Sequence, residues 1–220
     1  MGLFRWIKIH VLGLKDYTLP ERDLDDLKKL VKIVFIDDKS FKVVDILKKA
    51  GWSNTSWLKD IGSLDIREVG EAHIVFVDIQ DVGHRLGFKD EGLGLIAALR
   101  QKYPYKKLVV YSAERTGDRF HDGFSAADAR IAKNADPFEF QSLVEQYSRE
   151  AFSLTECVSR LQRILKAEFG LYVSEDQVIK NMTSIMRKGD LSIASIGSVF
   201  NVSNAVSLAK IISLFFTGKS

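Results

Sequence analysis

Four apolar runs in this chain each close on a residue able to manage a phosphoryl group or a divalent cation. Residues 31–36 end on Asp37 and Asp38, residues 72–77 on Asp78, residues 107–111 on Ser112, and residues 129–132 on Lys133. A carboxylate attacks phosphorus poorly unless charge on the phosphoryl oxygens is neutralised. Mg²⁺ supplies that neutralisation through hard oxygen ligands, usually one or two carboxylates, while keeping several waters. A hydroxyl and an ammonium at the same edge hold the oxygens as charge redistributes. Asp78 as acceptor, Asp37 and Asp38 for the metal, and Ser112 and Lys133 for the phosphoryl oxygens make a complete set.

These residues act together only if the runs are neighbouring strands. The runs at 31–36 and 72–77 are short, β-branched and aromatic, the composition of strands buried on both faces of a parallel sheet. Ligands in such sheets sit beyond the carboxyl ends of the strands, where the acids fall. Helical patterns alternate with the strands. Val43, Val44, Ile46 and Leu47 form one apolar side of a helix closed by Gly51, and Leu93, Ile96 and Leu99 mark another ahead of Pro104. A weak strand is expected over 54–61, where Lys59 and Asp60 intrude, a short helix over 64–72, and a further helix from Pro137. Pro20 is expected in the first turn of a helix feeding strand one. Residues 1–18 show no clean period, and 114–128 read as a mobile loop. The alternation predicts a doubly wound parallel sheet with right-handed crossovers and helices on both faces.

From about Glu150 only helical stretches follow: 152–169, a helix from Ser174 to Arg187 with a capping-box start, and one or two helices over 191–216. The expected division is an N-terminal extension (1–29), the α/β domain (30–148) and a helical association or output region (149–220). Phe152, Leu161, Ile164, Leu165 and Phe169 form one apolar stripe, and Ile211, Ile212, Leu214, Phe215 and Phe216 another. Such stripes either meet a second copy, which predicts a homodimer through the C-terminal helices, or fold back onto the α/β domain to make one monomeric domain.

The net charge of +3 over 220 residues is too small for a nucleic-acid surface. In the C-terminal region Arg160, Arg163, Lys180 and Arg187 are offset by Glu156, Glu168, Glu175 and Asp176, so no nucleic-acid partner is expected. Cys157 is the one cysteine, which excludes an intrachain disulfide and a thiolate metal cluster and fits a cytoplasmic setting. Residues 191–216 carry a single charge, Lys210, but eight Ser and Asn residues make a membrane span unfavourable. Among the histidines, His10, His73, His84 and His121 have no paired ligand spacing and read as surface or loop residues. Trp6, Trp52 and Trp57 read as packing anchors.

The order Val34-Phe35-Ile36-Asp37-Asp38, His73-Ile74-Val75-Phe76-Val77-Asp78, Val109-Val110-Tyr111-Ser112-Ala113, Ile131-Ala132-Lys133 resembles the receiver domain of two-component response regulators over roughly residues 30–147. The resemblance implies a flavodoxin-like five-stranded sheet of order 2-1-3-4-5. It implies phosphorylation of Asp78 by a histidine kinase or phosphotransfer protein, with Mg²⁺ held directly by Asp38, Asp78 and the Gln80 carbonyl and by Asp37 through water. The chain departs from the family in three places. The loop from Gln80 to Glu91 is longer, Asn134-Ala135-Asp136 separates the lysine from Pro137, and Arg130 replaces the aromatic three residues before the lysine.

Each residue also has a plainer reading: Asp37 and Asp38 as helix caps, Asp78 as a turn residue, Ser112 as an ordinary strand end, Lys133 as a solvated charge. A haloacid-dehalogenase-like phosphatase also uses a strand-end Asp, a hydroxyl and a Lys. It requires a second acid two residues after the nucleophile, and those positions are Gln80 and Lys39. A pseudo-receiver, a binding scaffold that is never phosphorylated, differs from the active form only in geometry and partner.

Overall fold

The computed structural model describes residues 22–113 and 125–217. The segment 1–18, Trp6, His10, Pro20, His121 and most of the loop read over 114–128 lie outside them. Residues 22–156 form one compact unit and residues from 157 onward belong to another.

In the first unit, α1 (Leu24–Leu30), β1 (Ile33–Ile36), α2 (Lys42–Lys49), β2 (Thr55–Leu58), α3 (Arg67–Glu71), β3 (Ile74–Asp78), α4 (Glu91–Lys102), β4 (Lys107–Ser112), β5 (Ala129–Ala132) and α5 (Pro137–Ala151) follow in order. The strands are all parallel and lie in the order β2-β1-β3-β4-β5. β1 and β3 are buried along their whole length, as strands covered on both faces must be. α1 starts at Leu24, and Asp23 is its cap, the carboxylate accepting from the Asp25 amide at 2.7 Å. Strand two is shorter than the 54–61 stretch, and α3 is confined to five residues of the 64–72 stretch.

The two faces of the sheet are chemically different. On one, Val34, Ile36, Val75, Val77, Leu108 and Val110 pack with Val69, Leu95, Ile96 and Leu99 in an aliphatic core. The other is aromatic. Phe35 and Phe76 are register partners whose rings stack at 4.3 Å, and Tyr111, Phe41 and Phe140 close around them at 5.1–6.4 Å. Because side chains alternate along a strand, the residues two past Phe35 and Phe76, namely Asp37 and Asp78, return to this aromatic face. Burial of these rings is a large apolar contribution directly under the acids.

α6 (Leu154–Phe169), α7 (Glu175–Lys188), α8 (Ile193–Phe200) and α9 (Val206–Thr217) follow. Ser174 caps α7 through the Gln177 amide at 3.3 Å. The Gln177 side chain turns to Asn181 instead of completing the capping box. Gly189 and Asn201 end α7 and α8 in the left-handed conformation. Of the two stripes, Phe152, Leu161, Leu165, Ile212 and Phe215 are buried within the single chain. The large apolar residues left exposed beyond residue 156 are instead Leu171, Tyr172, Ile193 and Val206, among the described residues. No helix among the described residues is long and apolar enough to cross a membrane.

Candidate functional site

The carboxyl ends of β1 and β3 bring Asp37, Asp38 and Asp78 together: one carboxylate oxygen from each lies within 4.8 Å of the others. Asp37 is fully buried and tied down at several atoms. Its amide donates to the Leu58 carbonyl at 3.0 Å, its Oδ1 accepts from the Lys39 amide at 2.9 Å, and its own carbonyl accepts from the Trp57 indole at 2.9 Å. Trp57 is thus a partner of the site from the edge strand, not the packing anchor that its type suggests; Trp52 does fill the core. Asp38 is more open, with the Lys39 ammonium 3.7 Å away.

Asp78, the last residue of β3, is buried. Lys133, one residue beyond β5, reaches back so that Nζ donates to Asp78 Oδ2 at 2.6 Å and stands 2.9 Å from Asp37 Oδ2. The Lys133 amide donates to the Ser112 carbonyl at 2.7 Å, which sets the lysine backbone against the end of β4. Ser112 is itself buried, as the closing residue of that strand. Gln80 is half-buried two residues past Asp78, at the start of the long loop. Five of the six expected residues therefore close the strands or follow them directly, and Gln80 opens the loop beside them.

Burial pushes the Asp78 carboxyl above the usual carboxylate range against the pull of Lys133, and the charge of Asp37 adds to the rise. Burial alone would lower the Lys133 ammonium, but its bonds to Asp78 and Asp37 outweigh this and hold it above the ordinary lysine value. Asp78 Oδ1 is buried and accepts no hydrogen bond. A bare buried carboxylate oxygen is costly unless something positive or electrophilic uses it. With Asp38 open beside it, the donor set fits a small hard cation: all-oxygen, anionic, and with room for water on the Asp38 side.

Three contributors carried no sequence signal. Tyr111, fully buried on β4, donates its hydroxyl to Asp37 Oδ2 at 2.9 Å. Asp60, read above as an interruption of strand two, accepts from the Gly83 amide at 2.8 Å and the Arg85 amide at 3.1 Å. It thereby ties the long loop, including its 3₁₀ turn His84–Leu86, to the end of β2. Gly92 lets α4 pass the acceptor strand, since a Cβ there would lie 1.9 Å from the Asp78 carbonyl oxygen. His73, read as a surface or loop residue, lies half-buried in the bend ahead of β3, where Nδ1 accepts from the Lys32 amide at 3.1 Å.

No family model matches the chain, and no curated protein does. Solved structures do. A beryllofluoride-activated DrrB receiver domain is 19% identical with a TM-score of 0.42, covering 54% of this chain and 97% of its own. A response regulator from Thermotoga maritima is 23% identical with a TM-score of 0.41, covering 54% and 97%. RcsB from Salmonella enterica serovar Typhimurium, bound to a promoter, is 16% identical with a TM-score of 0.46, covering 86% and 90%. The fold is receiver-like. Its parallel sheet has the order 2-1-3-4-5, with helices between the strands.

Proposed function

We propose that the chain is a response-regulator-like switch whose receiver part is phosphorylated on Asp78 in a Mg²⁺-dependent way. The observation that carries this reading is the bare, buried Oδ1 of Asp78, a carboxylate clustered with Asp37 and Asp38 and with Lys133 already bound to its other oxygen. Asp78 Oδ1 attacks the phosphorus of a phosphohistidine or acyl phosphate; the new P–O bond forms as the P–N or P–O bond to the donor breaks. Asp38, Asp78 and the Gln80 carbonyl would hold Mg²⁺ directly and Asp37 through water, and the ion would supply charge neutralisation at the phosphoryl oxygens. Lys133, released from Asp78 Oδ2, pairs with one phosphoryl oxygen, and the Ser112 hydroxyl is assigned to another. The chain is a phosphoacceptor rather than a turnover enzyme. Its donor is a histidine kinase or a phosphotransfer protein, and a single, buried cysteine supports a cytoplasmic setting.

The helices beyond residue 149 are assigned as the association region through which the switch acts, with a second copy of the chain as partner and no nucleic acid.

Intact mass after incubation with Mg²⁺ and acetyl phosphate tests the reading. Wild type is expected to gain one phosphoryl group, and Asp78→Asn none. Asp38→Ala is expected to lose both the phosphoryl group and the weak Mg²⁺ binding seen by calorimetry. No gain with any small-molecule donor, and no beryllofluoride adduct, would move the assignment to a pseudo-receiver scaffold. Steady hydrolysis of a phosphomonoester would move it to a phosphatase.

A further inference from the structure

The three acids are not equivalent. Asp37 Oδ2 carries two donors, the Tyr111 hydroxyl at 2.9 Å and the Lys133 ammonium at 2.9 Å, and Oδ1 carries a third, the Lys39 amide. Asp78 keeps one oxygen bare. The phenol is held rigidly: its ring stacks on Phe41 at 5.1 Å and meets Phe35, Phe76 and Phe140 edge-on at 6.0–6.4 Å. It is fully buried, and its register partner on β3 is Asp78 itself. Burial and the neighbouring Asp37 charge push its ionisation far above the ordinary phenol value, so it remains a donor. A tyrosine locked this way has one polar task in the folded chain, and that task is Asp37.

We propose that Tyr111 is a positioning residue of the acid cluster: its hydroxyl fixes Asp37 as the partner of Lys133 and keeps that carboxylate out of a cation's direct shell. Each donor to a carboxylate drains charge from it and occupies a lone pair, so a carboxylate with three donors is a weak direct ligand for a hard cation. The direct protein ligands are then Asp38, Asp78 and a backbone carbonyl. Lys133 is kept between the two buried acids, aligned for the phosphoryl group. This inference rests on the metal-dependent reading above and assigns the residue that apportions the roles of its acids.

The test uses the full chain with Mg²⁺ as the probe. In Tyr111→Phe the freed lone pair of Asp37 Oδ2 is expected to tighten Mg²⁺ binding roughly tenfold or more by calorimetry, the scale of one hydrogen bond to a charged group. A tyrosine that merely packs would lower the thermal midpoint on loss of its hydroxyl and leave the affinity alone. Unchanged or weaker binding by a folded variant overturns the proposal. Proton NMR of the wild type gives a second reading that needs no folded variant. A slowly exchanging, downfield Tyr111 hydroxyl proton is expected, and it should persist at saturating Mg²⁺; its disappearance means that Asp37 has left the phenol for the metal and overturns the proposal. A wild type that binds no Mg²⁺ defeats the cation reading separately. Asp37→Asn then decides alone: an upfield move of the hydroxyl proton supports the positioning role, and an unmoved signal ends it.

Discussion

Asp37 and Asp78 share one ammonium, with Lys133 Nζ 2.9 Å from Asp37 Oδ2 and 2.6 Å from Asp78 Oδ2. Within the buried pair one positive charge thus stands against two carboxylates at the edge of an aromatic core, while the more open Asp38 has the Lys39 ammonium 3.7 Å away. Such a pocket trades stability for a charge imbalance that a cation or a phosphoryl transfer can resolve.

The raised Asp78 carboxyl has a consequence for stability with a definite sign. A carboxyl whose folded value lies above its unfolded one makes the native state bind more protons, so stability falls as pH rises from the unfolded value through the folded one and is flat above it. Asp78→Asn is expected to remove that slope and to raise the thermal midpoint at neutral pH by about 2–4 °C, the shift that roughly 1 kcal/mol produces in a chain of this size. Calorimetric melts of both proteins without added metal, at acidic and neutral pH, check it. A variant less stable than wild type at neutral pH contradicts the sign.

Asp60→Ala is expected to free the loop that follows the acceptor. Its carboxylate accepts from the Gly83 and Arg85 amides, and losing both acceptors should cost about 2 kcal/mol locally. Amide hydrogen exchange should accelerate at Gly83 and Arg85 while the β1 and β3 amides keep their protection. Uniform acceleration would instead mean that the whole sheet depends on this contact.

Gly92→Ala should be the most damaging single methyl group near the site. Backbone, not a movable side chain, occupies the place its Cβ needs, so α4 must shift away from Asp78. We expect a loss of about 3 kcal/mol, at the upper end for overpacking, seen as a lower urea midpoint. Phosphorylation by acetyl phosphate should also slow in the fraction that folds. A variant as stable as wild type would show that the helix can yield without cost.

Self-association, if it runs through the C-terminal helices, must use the apolar residues that the fold leaves outside. Tyr172 is 82% exposed and Ile193 50%. The full chain is expected to scatter light as a dimer, and Tyr172→Ser with Ile193→Ser to halve that mass. A wild type with the mass of one chain rules the association out.

The central strands were readable because double burial forces a continuous apolar run, and the chemistry stands where each run stops. That is why Asp37, Asp38, Asp78, Ser112 and Lys133 could be named from order alone. Tyr111 was hidden in the same logic: inside an apolar run, a tyrosine scores as one more large ring, and its hydroxyl has meaning only beside β1. Asp60 and Gly92 act between loops and elements far apart in the chain, where periodicity carries no information. The apolar stripes of α6 and α9 were visible as stripes, but whether a stripe meets another chain or its own is not written in its spacing.

Trp57 has a use beyond holding Asp37. Its indole is 37% exposed yet hydrogen-bonded at 2.9 Å to the carbonyl of a residue in the acid cluster, whereas Trp52 is sealed in the core. An indole in that position is a built-in optical reporter. Its emission should respond to any event that tugs on the end of β1, so occupancy of the site can be followed in the unlabelled protein, in real time, with Trp57→Phe as the control that leaves only the Trp6 and Trp52 background.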